Sequence, residues 1–182
     1  MGSVNLETLS LDYQSIWYEG VVYPPFIKPE ALDQLRKQHT LRSNDIVIAT
    51  FPKCGTAWMQ QIVLTLLADG DGSKVRRPMD MSPWLEAWVS NQGLAAFEEW
   101  YPEQTGWNGL ENACDLDPAW CPSRRVLKTH APAQLSPWVV GAQLDRMNGA
   151  RIIVVTRNPK DEAVSHHHHT INLSHIFKYN GS

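Results

Sequence analysis

The sequence has no run of about eighteen apolar residues, so it offers no helix long enough to cross a bilayer. It also lacks the surplus of Lys and Arg that a general nucleic-acid binder or a basic membrane-surface protein requires. The 16 basic and 19 acidic side chains leave a formal net charge of -3, so any anion site must be local. Cysteine is scarce and odd in number: Cys54, Cys114 and Cys121 form no C-x-x-C pair, which argues against a disulfide framework or a zinc site and for a reducing compartment. The N-terminus has no basic segment followed by an apolar stretch, and "MGSVNL" carries Leu6 where a myristoylation signal wants Ser or Thr. A soluble, cytoplasmic protein with neither nucleic-acid nor membrane partners is the expectation. The phosphate-loop spelling G-x-x-x-x-G-K-[ST] is missing as well, since Lys53 precedes Gly55, and this disfavours an ordinary ATPase or kinase.

What is present reads as one domain with a core, 43% hydrophobic and 19% charged. Residues 1–28, with Gly20 and Pro24-Pro25, suit an extended arm. Pro29 to His39 suits a short helix, with Pro first, acids early and bases late. Asp45 to Phe51, "DIVIATF", is β-branched and nearly continuously apolar, as a strand buried on both faces of a parallel sheet should be. Beyond it, apolar positions 58, 59, 62, 63, 66 and 67 recur at helical spacing until "DGDGS" stops them. Residues 76–121, rich in Trp, Pro and turn residues, predict short helices and loops. "RRVLK" at 124–128 and "RIIVVTR" at 151–157 are two further strands. Asn158 is placed to cap a helix running to about His169, with Pro159 first and Asp161 in the opening turn.

A buried strand that feeds a helix through a glycine turn presents free N–H groups at the positive end of the helix dipole, and phosphate is the natural guest. "TFPKCGTAW" at 50–58 resembles the 5′-phosphosulfate loop of the cytosolic sulfotransferases, T-[YF]-P-K-[SC]-G-T-[TS]-W. "SPWLE" at 82–86, "LKTHAP" at 127–132 and "VVTRNPKDEAVSHHHH" at 154–169 follow in that family's order, the last within a 3′-phosphate segment at 151–169. The resemblance implies transfer of a sulfuryl group from 3′-phosphoadenosine 5′-phosphosulfate, without a metal, to a hydroxyl or amine. The implied fold is α/β, a three-layer sandwich with a parallel sheet, like the P-loop nucleotide kinases.

By the same resemblance Lys53 stabilises the phosphosulfate as its S–O bond breaks, Cys54, Gly55, Thr56 and Ala57 lie along the 5′-phosphate, and Trp58 packs near the adenine. His130 takes the acceptor's proton. Lys128 either helps hold charge on the sulfuryl group or is only a neighbour, and Arg157 and Ser165 bind the 3′-phosphate. Ala57, where the family commonly has a hydroxyl, removes one donor. Cys54 reads as a small residue that fits the turn, with redox control of its thiol as the alternative.

Trp84, Trp88, Trp100 and Trp107 fall where the family builds its acceptor pocket, and aromatic walls suit a lipophilic alcohol or phenol. Because consecutive helical residues point in different directions, no more than two of His166 to His169 could share a metal, and the run reads as replacing family aromatics. The family's later R-K-G-x-x-G segment does not occur in these residues. The expectation is therefore a partial sulfotransferase domain over 1–182, truncated on its C-terminal side, with an uncovered sheet edge that favours a homodimer or poor solubility. A non-catalytic nucleotide-binding module and a phosphotransferase on the same fold stay open as alternatives.

Overall fold

The computed structural model of the chain describes residues 15–75, 77–100, 124–136 and 147–174. Cys114, Cys121 and Trp107 lie outside these ranges. The first element corrects the expectation of a plain arm. Strands β1 (Ile16–Tyr18) and β2 (Val21–Tyr23) form an antiparallel hairpin, closed by Glu19 at φ 46° and Gly20 at φ 79°. Positive φ at both central residues is what a two-residue hairpin turn with the right twist demands. Tyr18 fastens the hairpin by donating its hydroxyl to Asp33 Oδ1 at 2.7 Å.

Asp33 stands on α1 (Pro29–Gln38), where Pro29 opens the helix, Glu30 sits in its first turn, Arg36 and Lys37 sit in its last, and Ala31, Leu32 and Leu35 are buried. Strand β3 (Ile46–Thr50) is the centre of a three-stranded sheet, with β4 (Val126–Thr129) and β5 (Arg151–Val155) parallel to it on either side. Val47 and Ile48 are wholly inaccessible, as the unbroken apolar run of "DIVIATF" anticipates. The second strand starts two residues later than the sequence indicated. Arg125 is instead occupied by a buried ion pair to Asp45.

Helix α2 (Thr56–Leu67) follows the turn after β3 and buries Gln60, Val63 and Leu64. The expected face is therefore rotated: Trp58 and Leu66 are exposed, at 72% and 71%. The polar Gln60 goes inward because its Nε2 donates to the Ser82 carbonyl at 2.6 Å. Short helices α3 (Pro78–Met81), α4 (Leu85–Gln92) and α5 (Leu94–Trp100) follow.

One apolar cluster joins Val47, Ile48, Leu64, Leu85, Phe97 and Leu127 between sheet and helices, each side chain contributing about 1.5–3 kcal/mol by burial. A second joins Tyr23, Ile27, Leu32, Ala131 and Leu135, seating the hairpin beside the C-terminal ends of the strands. Helix α6 (Pro159–Asn172) begins as the sequence indicated, with Asn158 Oδ1 accepting from the Lys160 N–H at 3.0 Å. Thr170 is its one buried residue among those described, and Val154 on β5 remains 69% exposed. The chain is thus α/β, a parallel sheet flanked by helices. Among the described residues no helix is long and apolar enough to cross a membrane.

Candidate active site

In a parallel sheet the strand ends and the helix starts meet on one side, so three separate sequence segments converge there. The first is the turn after β3. Lys53 sits at φ 63° and Gly55 at φ 101°, a left-handed path that costs a lysine energy and leaves the glycine unstrained. Gly55 occupies the N-cap of α2, where no side chain caps the free N–H groups and no acid stands in the first turn. Those donors and the helix dipole therefore have no internal anion to satisfy them. The second segment is the end of β5, where Arg157 Nη1 donates to the Lys53 carbonyl at 3.2 Å. Two cationic residues from opposite ends of the sequence motifs are thereby joined. The Lys53 ammonium lies 3.5 Å from His169 Nδ1 on α6.

The third segment carries His130, just past β4. Its Nδ1 lies 2.8 Å from the Thr50 carbonyl oxygen. A carbonyl can only accept, so Nδ1 bears the hydrogen and Nε2 keeps a free lone pair. Burial pulls the imidazole down to a pKa of about 4; the Thr50 bond opposes this, and the charges of Lys128 and His166 assist it. The ring is neutral at pH 7. Trp84 packs edge-on against it with centroids 4.8 Å apart.

Glu86, 2% exposed on α4, is a residue that reasoning from sequence passed over. Its Oε1 accepts from the Thr129 hydroxyl and from the Ala131 N–H, the latter at 3.0 Å. Both neighbours of His130 are thus tied to one carboxylate. Burial raises the Glu86 carboxyl and those hydrogen bonds oppose the rise. Lys128, 6% exposed, is lowered by burial and sustained by the Glu86 charge, and its ammonium lies 5.4 Å from the centroid of the Trp84 ring. It sits behind Trp84 and is not among the described residues that line the cavity.

That cavity, about 1110 Å³, is bordered by the polar or charged Thr50, Cys54, His130, Arg157, His166 and His169. Val21, Tyr23, Trp84, Pro132 and Met147 contribute apolar surface to the same lining. Of the residues expected at the site, Cys54, His130 and Arg157 face this space, and Lys53 is tied to it through Arg157 and His169. Gly55, Thr56, Ala57 and Trp58 open helix α2 beyond the wall. Ser165 is half-buried on α6 and not part of the described lining. Cys54, 8% exposed, has the burial of a small packed residue more than that of an accessible thiol.

The four histidines divide by helical spacing: His166 and His169 turn inward, and His167 and His168 face solvent. His166 is paired with Glu162 at 3.0 Å. Trp84 is a cavity wall, but Trp88 is not. It packs against Phe97 at 5.3 Å and, partly buried, lies against the main core.

Residues 43–181 match the model of a family described as "Sulfotransferase domain". Sulfotransferase 2B1 of Mus musculus is 31% identical over 151 residues, which is 81% of this chain and 36% of that protein. Sulfotransferase 1A1 of Canis lupus familiaris is 34% identical over 148 residues, 79% of this chain and 42% of that protein. The fold resembles that of retinol dehydratase, solved in complex with androsterone and inactive cofactor PAP. The TM-score is 0.54 at 17% identity, covering 87% of this chain and 49% of that one. This chain therefore spans about half the length or less of the proteins it matches. Within that span the chain belongs to the sulfotransferase family.

Proposed function

We propose that the chain carries the donor-binding and base-bearing part of a sulfotransferase site that uses 3′-phosphoadenosine 5′-phosphosulfate. The uncapped start of α2, with no acid in its first turn, fits a 5′-phosphosulfate, and Arg157 beside the same turn fits a second phosphate with its fork of donors. Lys53, Cys54, Gly55, Thr56 and Ala57 hold the sulfated end. Arg157 and Ser165 hold the 3′-phosphate, and exposed Trp58 offers a face to adenine. When bound, the nucleotide supplies the sulfuryl group. His130 Nε2 accepts the proton of the acceptor hydroxyl as its oxygen bonds to sulfur. The Lys53 ammonium meets the charge left on the departing phosphate oxygen. Lys128, buried behind Trp84, holds a positive charge near the reacting group instead of touching it.

The acceptor reading follows from the apolar residues of the cavity lining, among them Val21, Tyr23, Trp84 and Pro132. Androsterone in the retinol dehydratase complex is a guest of that chemical kind. The single observation that carries the proposal is that His130 and Arg157 border one cavity, with the free nitrogen of His130 left available by its bond to Thr50. Sulfate transfer from labelled donor to a panel of phenols and hydroxysteroids tests it. Transfer to a lipophilic alcohol or phenol supports the reading, and binding of nucleotide without transfer to any of them reduces the chain to a binding module.

A further inference from the structure

Thr50, the last residue of β3 and 6% exposed, sits between the anion turn and His130. Its Oγ1 is 2.6 Å from the hydroxyl of Thr56, the first residue of α2. The same oxygen is 3.3 Å from His130 Nδ1, whose hydrogen also reaches the Thr50 carbonyl at 2.8 Å. One residue thus contacts both halves of the site through two different oxygens. We infer that Thr50 is a positioning residue which transmits occupancy of the anion turn to His130 through its hydroxyl.

The direction of the chain follows from what each group can do. His130 Nδ1 can only donate here, because its hydrogen is fixed by the carbonyl. Thr50 Oγ1 therefore accepts from the ring and has its own hydrogen free for Thr56. Thr56, accepting that hydrogen, is left with its O–H to give away, and a phosphate oxygen at the start of α2 is the acceptor that the uncapped helix invites. An anion there aligns the three donors in one sense and polarises each in turn. The result is more electron density on the imidazole and a ring held in one orientation. With the anion absent, the hydrogen between the two threonines can point either way, since either hydroxyl can donate.

This inference rests on the functional reading above, and the test separates the two. The full chain, labelled with 15N at histidine, is titrated with 3′-phosphoadenosine 5′-phosphate while the His130 ring nitrogens are followed by NMR and binding by calorimetry. Wild type and Thr50→Ser should show a shift of His130 Nδ1 on saturation. In Thr50→Val, which keeps the shape and removes the hydroxyl, most of that shift should disappear while the nucleotide still binds, because the hydroxyl link between Thr56 and the ring is gone. Where transfer is measured, kcat should fall with KM for the nucleotide little changed. Thr50→Ala removes the same hydroxyl and serves if Thr50→Val fails to fold. A shift in the valine variant equal to that of wild type overturns the inference alone. A wild-type chain that does not bind the nucleotide overturns the functional reading and this inference with it.

Discussion

His130→Ala is expected to cut sulfuryl transfer by about 10²–10⁴-fold, the ordinary worth of a positioned base, with affinity for 3′-phosphoadenosine 5′-phosphate little altered. The separation of the two effects follows from geometry. His130 borders the cavity without belonging to the anion turn itself, and its contact with that turn passes through Thr50, by its carbonyl and its hydroxyl. The pH profile supplies a second check. Burial holds the imidazole at about 4, so the base stays unprotonated well below neutrality. The acid limb of kcat/KM should therefore fall near pH 4, whereas an exposed histidine would place it near its ordinary 6.5. An acid limb at ordinary histidine values would show that the ring is not enclosed as described.

The second large effect is expected far from the chemistry, at the opposite ends of the strands. Arg125 Nε and Nη2 donate to Asp45 Oδ1 and Oδ2 at 2.8 and 2.6 Å, with side-chain exposures of 4% and 0%. Asp45 also accepts from the Arg42 N–H at 2.8 Å, and Arg125 Nη1 reaches Glu98 Oε2 at 3.1 Å. Burying these ions is costly, and their mutual attraction repays the cost only while both are present. Arg125→Ala strands Asp45 in the interior and should lower unfolding free energy by about 3–5 kcal/mol, read as a lower urea midpoint with an unchanged slope. A double change, Arg125→Met with Asp45→Leu, should recover much of that loss.

Glu98 adds a pH signature to the same cluster. Burial pushes its carboxyl up, but the His39 hydrogen bond and the charges of Arg125, His39 and Arg42 outweigh burial and hold it at about 2. A folded value below the unfolded 4.5 means that its stabilisation is present above pH 4.5 and is lost as pH falls toward 2. Acid unfolding of Glu98→Gln should lack that component.

The parts legible in the sequence were those that local chemistry dictates. β3 declares itself because a strand covered on both faces must be apolar throughout, and α6 because Asn158, Pro159 and Asp161 are an N-terminus spelled in three residues. Motif order singled out the segments around His130 and Arg157, and the structure brings those two residues to one cavity. What could not be read depends on partners distant in the chain. Helix α2 is apolar on more than one side, so its buried face was decided by Gln60 finding the Ser82 carbonyl. Trp88 looks like Trp84 in sequence, yet Phe97 draws it against the core. Glu86 holds Ala131, the neighbour of His130, and Thr50 holds the His130 ring itself, through hydrogen bonds spanning 45 and 80 positions, which no local pattern encodes.

The β1–β2 hairpin escaped notice because its turn is Glu19-Gly20 and not one of the Asn-Gly or Asp-Gly pairs that usually announce such turns.

At the centre of the account is the claim that the turn at Lys53 and the guanidinium of Arg157 grip two ends of one nucleotide. Calorimetric titration of the chain with 3′-phosphoadenosine 5′-phosphate and with adenosine 5′-phosphate, in wild type and Arg157→Ala, tests it most directly. Wild type should bind the bisphosphate more tightly, and Arg157→Ala should lose about tenfold or more of that affinity, the worth of a charged hydrogen bond, largely erasing the preference. Equal affinity of wild type for the two nucleotides, or a preference untouched by Arg157→Ala, would contradict it.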